Sequence, residues 1–166
     1  MQIYLIRHGI AADRNAQTTD AERPLTEGGR KKTKRVAQRL ADLGVRFDAL
    51  LTSPLVRAEQ TAAILQGMGL AARYELFTPL APGGDIHLWV NWYQLQTYNA
   101  IALVGHQPDL GQWAEQLAWG DQGANGDRLI LKKAGIIGIK LNPNGNPLGN
   151  GELFLLTSPK WLLAGG

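Results

Sequence analysis

Ile3-Tyr4-Leu5-Ile6-Arg7-His8-Gly9 joins a four-residue apolar run, β-branched at both ends, to a cation, an imidazole and a glycine. A run so short, apolar and β-branched predicts a buried strand. The rest of the chain repeats the theme. Thr26 is placed to cap a helix over 27–43, closed by Gly44, with Val36, Leu40 and Leu43 on its inner face. A second strand is expected over 47–52, and Pro54 is expected to open a second helix that runs to Gly67. A third strand over 73–77 leads into the turn-rich Pro79-Leu80-Ala81-Pro82-Gly83-Gly84, and a helix follows over 85–98. The fully apolar 100–104 reads as a fourth strand and 108–119 as the next helix. Strands over 136–141 and 152–156 flank Asn142-Pro143-Asn144-Gly145-Asn146, a strong hairpin signal. Strand–helix alternation predicts an α/β fold: a three-layer α/β/α sandwich on a mostly parallel sheet of about six strands, with a late antiparallel hairpin. The expectation is one domain over 1–166 without a cap, because a single loop and helix separate the third and fourth strands.

Composition narrows the function. With 45% hydrophobic and 19% charged residues, the 166-residue chain reads as a globular domain with a proper core. It has no cysteine, which excludes disulfides, thiolate metal sites and a Cys nucleophile and agrees with a cytoplasmic location. The first residues do not read as a signal peptide, and no apolar run approaches the ~20 residues of a membrane span. The net charge of +3 favours anionic ligands. Arg30-Lys31-Lys32-Thr33-Lys34-Arg35, with Arg39 beyond, reads as a solvated helix face, and without interleaved aromatics nucleic acid is not expected. Trp89, Trp92, Trp113 and Trp119 read as core or partly buried packing, Trp161 as tail packing, and His87 as surface or helix packing. No acidic cluster has Mg²⁺ or Ca²⁺ spacing, so no metal is expected, and the chain is expected to be a monomer.

In sheets of this class ligands sit beyond the carboxyl ends of the strands. Arg7-His8-Gly9 follows the first strand, Ser53-Pro54-Leu55-Val56-Arg57-Ala58-Glu59-Gln60-Thr61 the second, and Gly105-His106-Gln107-Pro108 the fourth. Two arginines and two histidines therefore meet at one end of the sheet. Guanidinium forks match phosphoryl oxygens, a neutral imidazole can attack phosphorus, and a protonated one stabilises the equatorial oxygens. Gly9 is expected to leave room for the phosphate beside the nucleophile.

These motifs resemble the histidine phosphatase (phosphoglycerate mutase-like) superfamily. The short chain, with Arg23-Pro24-Leu25-Thr26, Pro82-Gly83-Gly84-Asp85 and Ser158-Pro159-Lys160, is similar to its SixA-type phosphohistidine phosphatases. The resemblance implies catalysis by His8 as phospho-acceptor with Arg7, Arg57 and His106, substrate contacts at Gly9, Ser53, Gly105 and Asp85, and no metal or cofactor. Larger members carry a Glu after the third strand, whereas this chain has no carboxylate there until Asp85. Asp85, Asp13, Asp20 and Glu22 are the candidate general acids. An alkoxide needs a proton to leave, and a phosphohistidine imidazole needs one far less, so the gap favours N–P substrates. The expected activity is hydrolysis of a phosphohistidine protein of histidine-phosphotransfer type through a covalent intermediate, in a shallow and open site. A phosphomonoesterase or mutase for a small phosphorylated molecule is the alternative, and a non-catalytic phosphate-binding module a third.

Overall fold

A computed structural model describes residues 1–14, 18–121, 124–142 and 145–164. In order, the elements are β1 (Gln2–Arg7), α1 (Glu27–Asp42), β2 (Ala49–Thr52), α2 (Val56–Gly67), β3 (Glu75–Leu76), α3 (Ile86–Tyr93), β4 (Ala100–Gly105), α4 (Asp109–Trp119), β5 (Ile136–Lys140), β6 (Glu152–Thr157) and α5 (Pro159–Leu162). The strands form one sheet ordered β3-β2-β4-β1-β5-β6. The first four in that order are mutually parallel, and β5 runs antiparallel to both β1 and β6. This is the anticipated mostly parallel sheet with its late hairpin. Of the turn signal at 142–146, Pro143 and Asn144 lie outside the described residues.

The period of two along β1 builds both cores. Ile3 and Leu5 face the layer of α3 and α4, where they meet Trp89, Leu103 and Trp113. Tyr4 and Ile6 face the layer of α1 and α2, where they meet Val36, Leu40, Ala58 and Leu65. A strand covered on both faces has no polar side, which is why the opening run is continuously apolar. Each such fully buried aliphatic side chain stabilises the fold by roughly 1.5–3 kcal/mol. No helix among the described residues is long and apolar enough to cross a membrane.

Several boundaries differ from expectation for local reasons. Thr26 does cap α1, its Oγ1 accepting from Gly29 N at 2.9 Å. Pro54, however, does not open α2: Ser53 Oγ accepts from Leu55 N at 3.3 Å, and this small turn holds Leu55 extended until the helix begins at Val56. β2 begins at Ala49 because the Phe47 amide is drawn to the Leu70 carbonyl. β3 is two residues long, paired only with Leu51 and Thr52 at the sheet edge. α3 ends at Tyr93, and the chain then enters β4 with the Asn99 and Ala100 amides both bound to Asp48 Oδ2. Trp89 and Trp113 are core, as expected, but Trp119 is half-exposed and Trp161, on the unforeseen α5, is 75% exposed rather than packed.

The stretch from α4 to β5 depends on one buried carboxylate. Glu115, 1% exposed, accepts from the backbone amides of Asn125, Gly126, Arg128 and Leu129 at 2.9–3.1 Å. Burial alone would raise its pKa, and the four amides outweigh that and lower it. Its stabilisation is therefore complete above the ordinary Glu value of 4.5 and is lost as pH falls through the lower folded value. Glu115→Ala strands buried amides and is expected to destabilise the protein by about 3 kcal/mol. Urea denaturation at neutral pH checks this, and the gap between Glu115→Gln and the parent chain should narrow in acid.

Candidate active site

Parallel pairing of β1 with β4 sets Arg7 opposite Gly105, so His8 and His106 leave the sheet side by side. Their ring centroids are 5.2 Å apart at 54°. β2, on the other side of β4, delivers Ser53, and the first turn of α2 brings in Arg57. His8, His106, Arg57 and Ser53 are all buried. The structure thus brings together five of the residues singled out from sequence: Arg7, His8, Ser53, Arg57 and His106.

His8 Nδ1 lies 2.7 Å from the Gly9 carbonyl oxygen. A carbonyl can only accept, so Nδ1 carries the proton and Nε2 keeps its lone pair. Arg57 Nε donates to that Nε2 at 3.3 Å. Burial brings the His8 pKa down to about 3, helped by the charges of His106, Arg57 and Arg7 and opposed by the Gly9 bond. His8 is thus a neutral, oriented imidazole with a lone pair on Nε2 at any ordinary pH, the form in which an imidazole can act as a nucleophile.

His106 is held through its other nitrogen, Nε2, which lies 2.8 Å from Ser53 Oγ. That hydroxyl already accepts from Leu55 N and has one lone pair and one proton left, so it can meet either tautomer of His106. When it donates to Nε2, the imidazole proton sits on Nδ1, a buried atom with no partner among the described residues. An N–H in that state is suited to an anionic oxygen. Burial, then Arg57, and last Arg7 lower the His106 pKa to about 4, with Asp20 opposing. An incoming phosphoryl dianion acts in the opposite direction and draws a proton onto this ring.

The arginines are anchored from outside the motifs. Arg57 Nη1 donates to the Asp20 carbonyl at 2.6 Å and Nη2 to its carboxylate at 3.0 Å. Arg7 Nη1 donates to the Leu131 carbonyl at 2.8 Å, and its buried Nε has no partner among the described residues. Thr61, quoted in the second motif without a role, accepts from Gly9 N at 3.1 Å and donates to the Arg57 carbonyl at 2.8 Å. Its place one helical turn after Arg57 was the available signal. Nothing near Leu131 in sequence pointed to the site.

Gly9 has a different physical reason from the one expected: a Cβ there would run into Thr33 Oγ1 on α1. At Gly105 a Cβ would press on the Leu110 side chain and the Leu80 carbonyl. Asp85 is exposed and caps α3, accepting from His87 N at 2.8 Å, and among the described residues no hydrogen bond or ion pair links it to His8 or His106. Asp13 is exposed, and Glu22 is turned to Thr19. Asp20 is paired with Arg14, Arg23 and Arg57; the Arg23 hydrogen bond foremost, then those to Arg57 and Arg14 outweigh burial and hold it well below the usual carboxylate range. Among the described residues no group of three or more His, Cys, Asp or Glu is placed to hold a metal ion.

The chain belongs to the histidine phosphatase superfamily and is of its SixA type. The family model for branch 1 of that superfamily matches residues 3–76, which covers Arg7, His8, Ser53 and Arg57 and stops short of His106. An uncharacterized protein of Picosynechococcus sp. (strain ATCC 27264 / PCC 7002 / PR-6) is 49% identical, over 98% of this chain and 99% of its own. Phosphohistidine phosphatase SixA of Escherichia coli (strain K12) is 29% identical, over 92% of this chain and 93% of its own. A solved structure of the protein histidine phosphatase SixA complexed with tungstate superposes with a TM-score of 0.84 at 28% identity, covering 98% of this chain and 99% of its own.

Two outcomes follow from the imidazoles. Both have folded pKa values below the ordinary 6.5, so the unfolded chain takes up protons first as pH falls. Their contribution to stability is whole above about pH 6.5 and lost toward pH 4 and 3. Urea midpoints at pH 7 and 4.5 should fall further apart in the parent chain than in His8→Ala/His106→Ala. Ser53→Ala removes the hydrogen bond that holds the His106 ring and should lower kcat about tenfold with a smaller effect on KM, as steady-state kinetics would show.

Proposed function

We propose that the chain is a phosphohistidine phosphatase that removes the phosphoryl group from a phosphohistidine protein through a covalent intermediate on His8. The observation that carries this is a neutral His8 Nε2 set among Arg57, Arg7 and His106 Nδ1, with no carboxylate among the described residues hydrogen-bonded to either imidazole. His8 Nε2 attacks phosphorus, the N–P bond to the substrate imidazole breaks, and the electron pair returns to that imidazole. Arg7, Arg57 and His106 hold the equatorial oxygens, where charge is greatest. Water then attacks phospho-His8, releases inorganic phosphate and restores the imidazole. Substrate contacts at Gly9, Ser53, Gly105 and Asp85 belong to the same reading, as do a single uncapped domain, independence of metal and cofactor, a monomeric state and a cytoplasmic location.

The ionised Asp20 supports an N–P substrate, since a carboxylate shared by three arginines does not readily yield a proton. Turnover should leave acid-labile, alkali-stable phosphate on His8, and His8→Ala should abolish both label and activity. Retention of near-normal activity by His8→Ala would overturn the mechanism. Arg57→Ala should cost about 10²–10³ in kcat/KM on every phosphoryl donor, because it removes charge stabilisation from the transferred group itself. Asp85→Asn should cost only a few-fold on a phosphohistidine protein, against the ~10²–10⁴ expected of a required general acid. Faster turnover of sugar phosphates than of the phosphoprotein, or loss of activity to EDTA, would count against the reading.

A further inference from the structure

Beside the phosphoryl pocket, and sharing Arg7 with it, lies a cleft of about 490 Å³ lined by Lys32, Lys132, Lys133, Ser158 and Lys160. Its size is that of clefts that take a ligand or a length of chain, larger than one phosphoryl group requires. All four lysines are exposed, and none has an ion-pair partner among the described residues. Lys31, one residue before Lys32 on α1, is by contrast paired with Glu27 at 2.6 Å. Here like charges from three separate parts of the chain surround one concavity, an arrangement that an anion relieves.

The backbone of two of these lysines is also tied to that of His8. Ala134 N donates to the carbonyls of both Arg7 and His8 at 3.1 Å, and Gly135 N closes back on the Lys132 carbonyl at 2.7 Å. The Leu131 carbonyl in turn holds Arg7. The backbone that carries Lys132 and Lys133 is thus bonded to the backbone that carries His8.

We infer that this cleft binds an acidic segment of the protein substrate next to its phosphorylated residue. The inference rests on the phosphohistidine reading and adds a substrate class to it. Carboxylates fit better than a second phosphate. Ammonium groups on flexible stems suit dispersed charges, whereas a phosphate favours planar forks, and among the described residues Arg7 alone brings one to the cleft.

The test uses synthetic phosphohistidine peptides with Asp and Glu flanks, matched peptides with Asn and Gln flanks, and phosphoserine versions of both. The full chain and Lys132→Glu/Lys133→Glu are compared by kcat/KM at low and high salt, with para-nitrophenyl phosphate as the flankless control. The acidic phosphohistidine peptide should be preferred about tenfold at low salt, with the preference fading as salt screens it. The double variant should lose that preference and keep the parent rate on para-nitrophenyl phosphate. Equal turnover of acidic and neutral phosphohistidine peptides by the parent chain would overturn the cleft and leave the phosphohistidine reading standing. Turnover of phosphoserine peptides alone, with the acidic preference intact, would do the reverse. A parallel loss on all substrates, or dependence on the lysines only for a bisphosphorylated small molecule, would also overturn it.

Discussion

The hydrogen-bonded pairing of β1 with β4 is the constraint on which the site hangs. Both strands are buried on both faces, and their register puts Arg7 against Gly105. A slip of one residue would send every side chain of β1 into the opposite core, so burial locks the alignment of His8 with His106. The two imidazoles therefore meet through the fit of each side chain into its own core, since the continuously apolar Ile3–Ile6 would not by itself fix the register.

That pairing forces cations and imidazoles into a poorly hydrated space, and the surrounding structure offsets the cost by giving each group a defined partner. The Gly9 carbonyl fixes His8, the Ser53 hydroxyl fixes His106, and Asp20 balances Arg57. Arg7 is reached over a longer path. Glu115 and Gln107, from α4 and the turn before it, organise the 125–131 stretch, which presents the Leu131 carbonyl to the guanidinium. A carboxylate with no hydrogen bond of its own to either imidazole thereby helps to orient the arginine that ends β1.

The layered fold was legible because strand and helix periods differ and the apolar runs are clean. The site was legible because strand ends of a parallel sheet converge, so Arg7, His8, Ser53, Arg57 and His106 could be placed from order alone. Helix starts were less legible: a proline sets φ at one residue, but the Ser53–Leu55 bond decided where α2 began. The reason for Gly9 lay in an approach between distant segments, since Thr33 is not its neighbour in sequence. The part played by Asp20 was half visible, as a carboxylate in the right loop; that three arginines claim it is a fact of three dimensions. Residues 125–131 offered no apolar period, and their order comes from side chains of α4 and Gln107.

The aromatic residues are divided unevenly between the two faces of the sheet. Trp89 and Trp113 are buried, 6.4 Å apart, in the layer beneath α3 and α4, and Trp92 packs beside them. The layer beneath α1 and α2 buries no tryptophan and relies on Tyr4 and Phe47, whose rings meet at 5.2 Å. Indole emission is sensitive to solvent contact, and here the buried indoles report on one face alone. Tyrosine signal draws on both layers, with Tyr4 in one and Tyr93 in the other, so the buried indoles are the built-in optical label, and what they follow is loosening beneath α3 and α4.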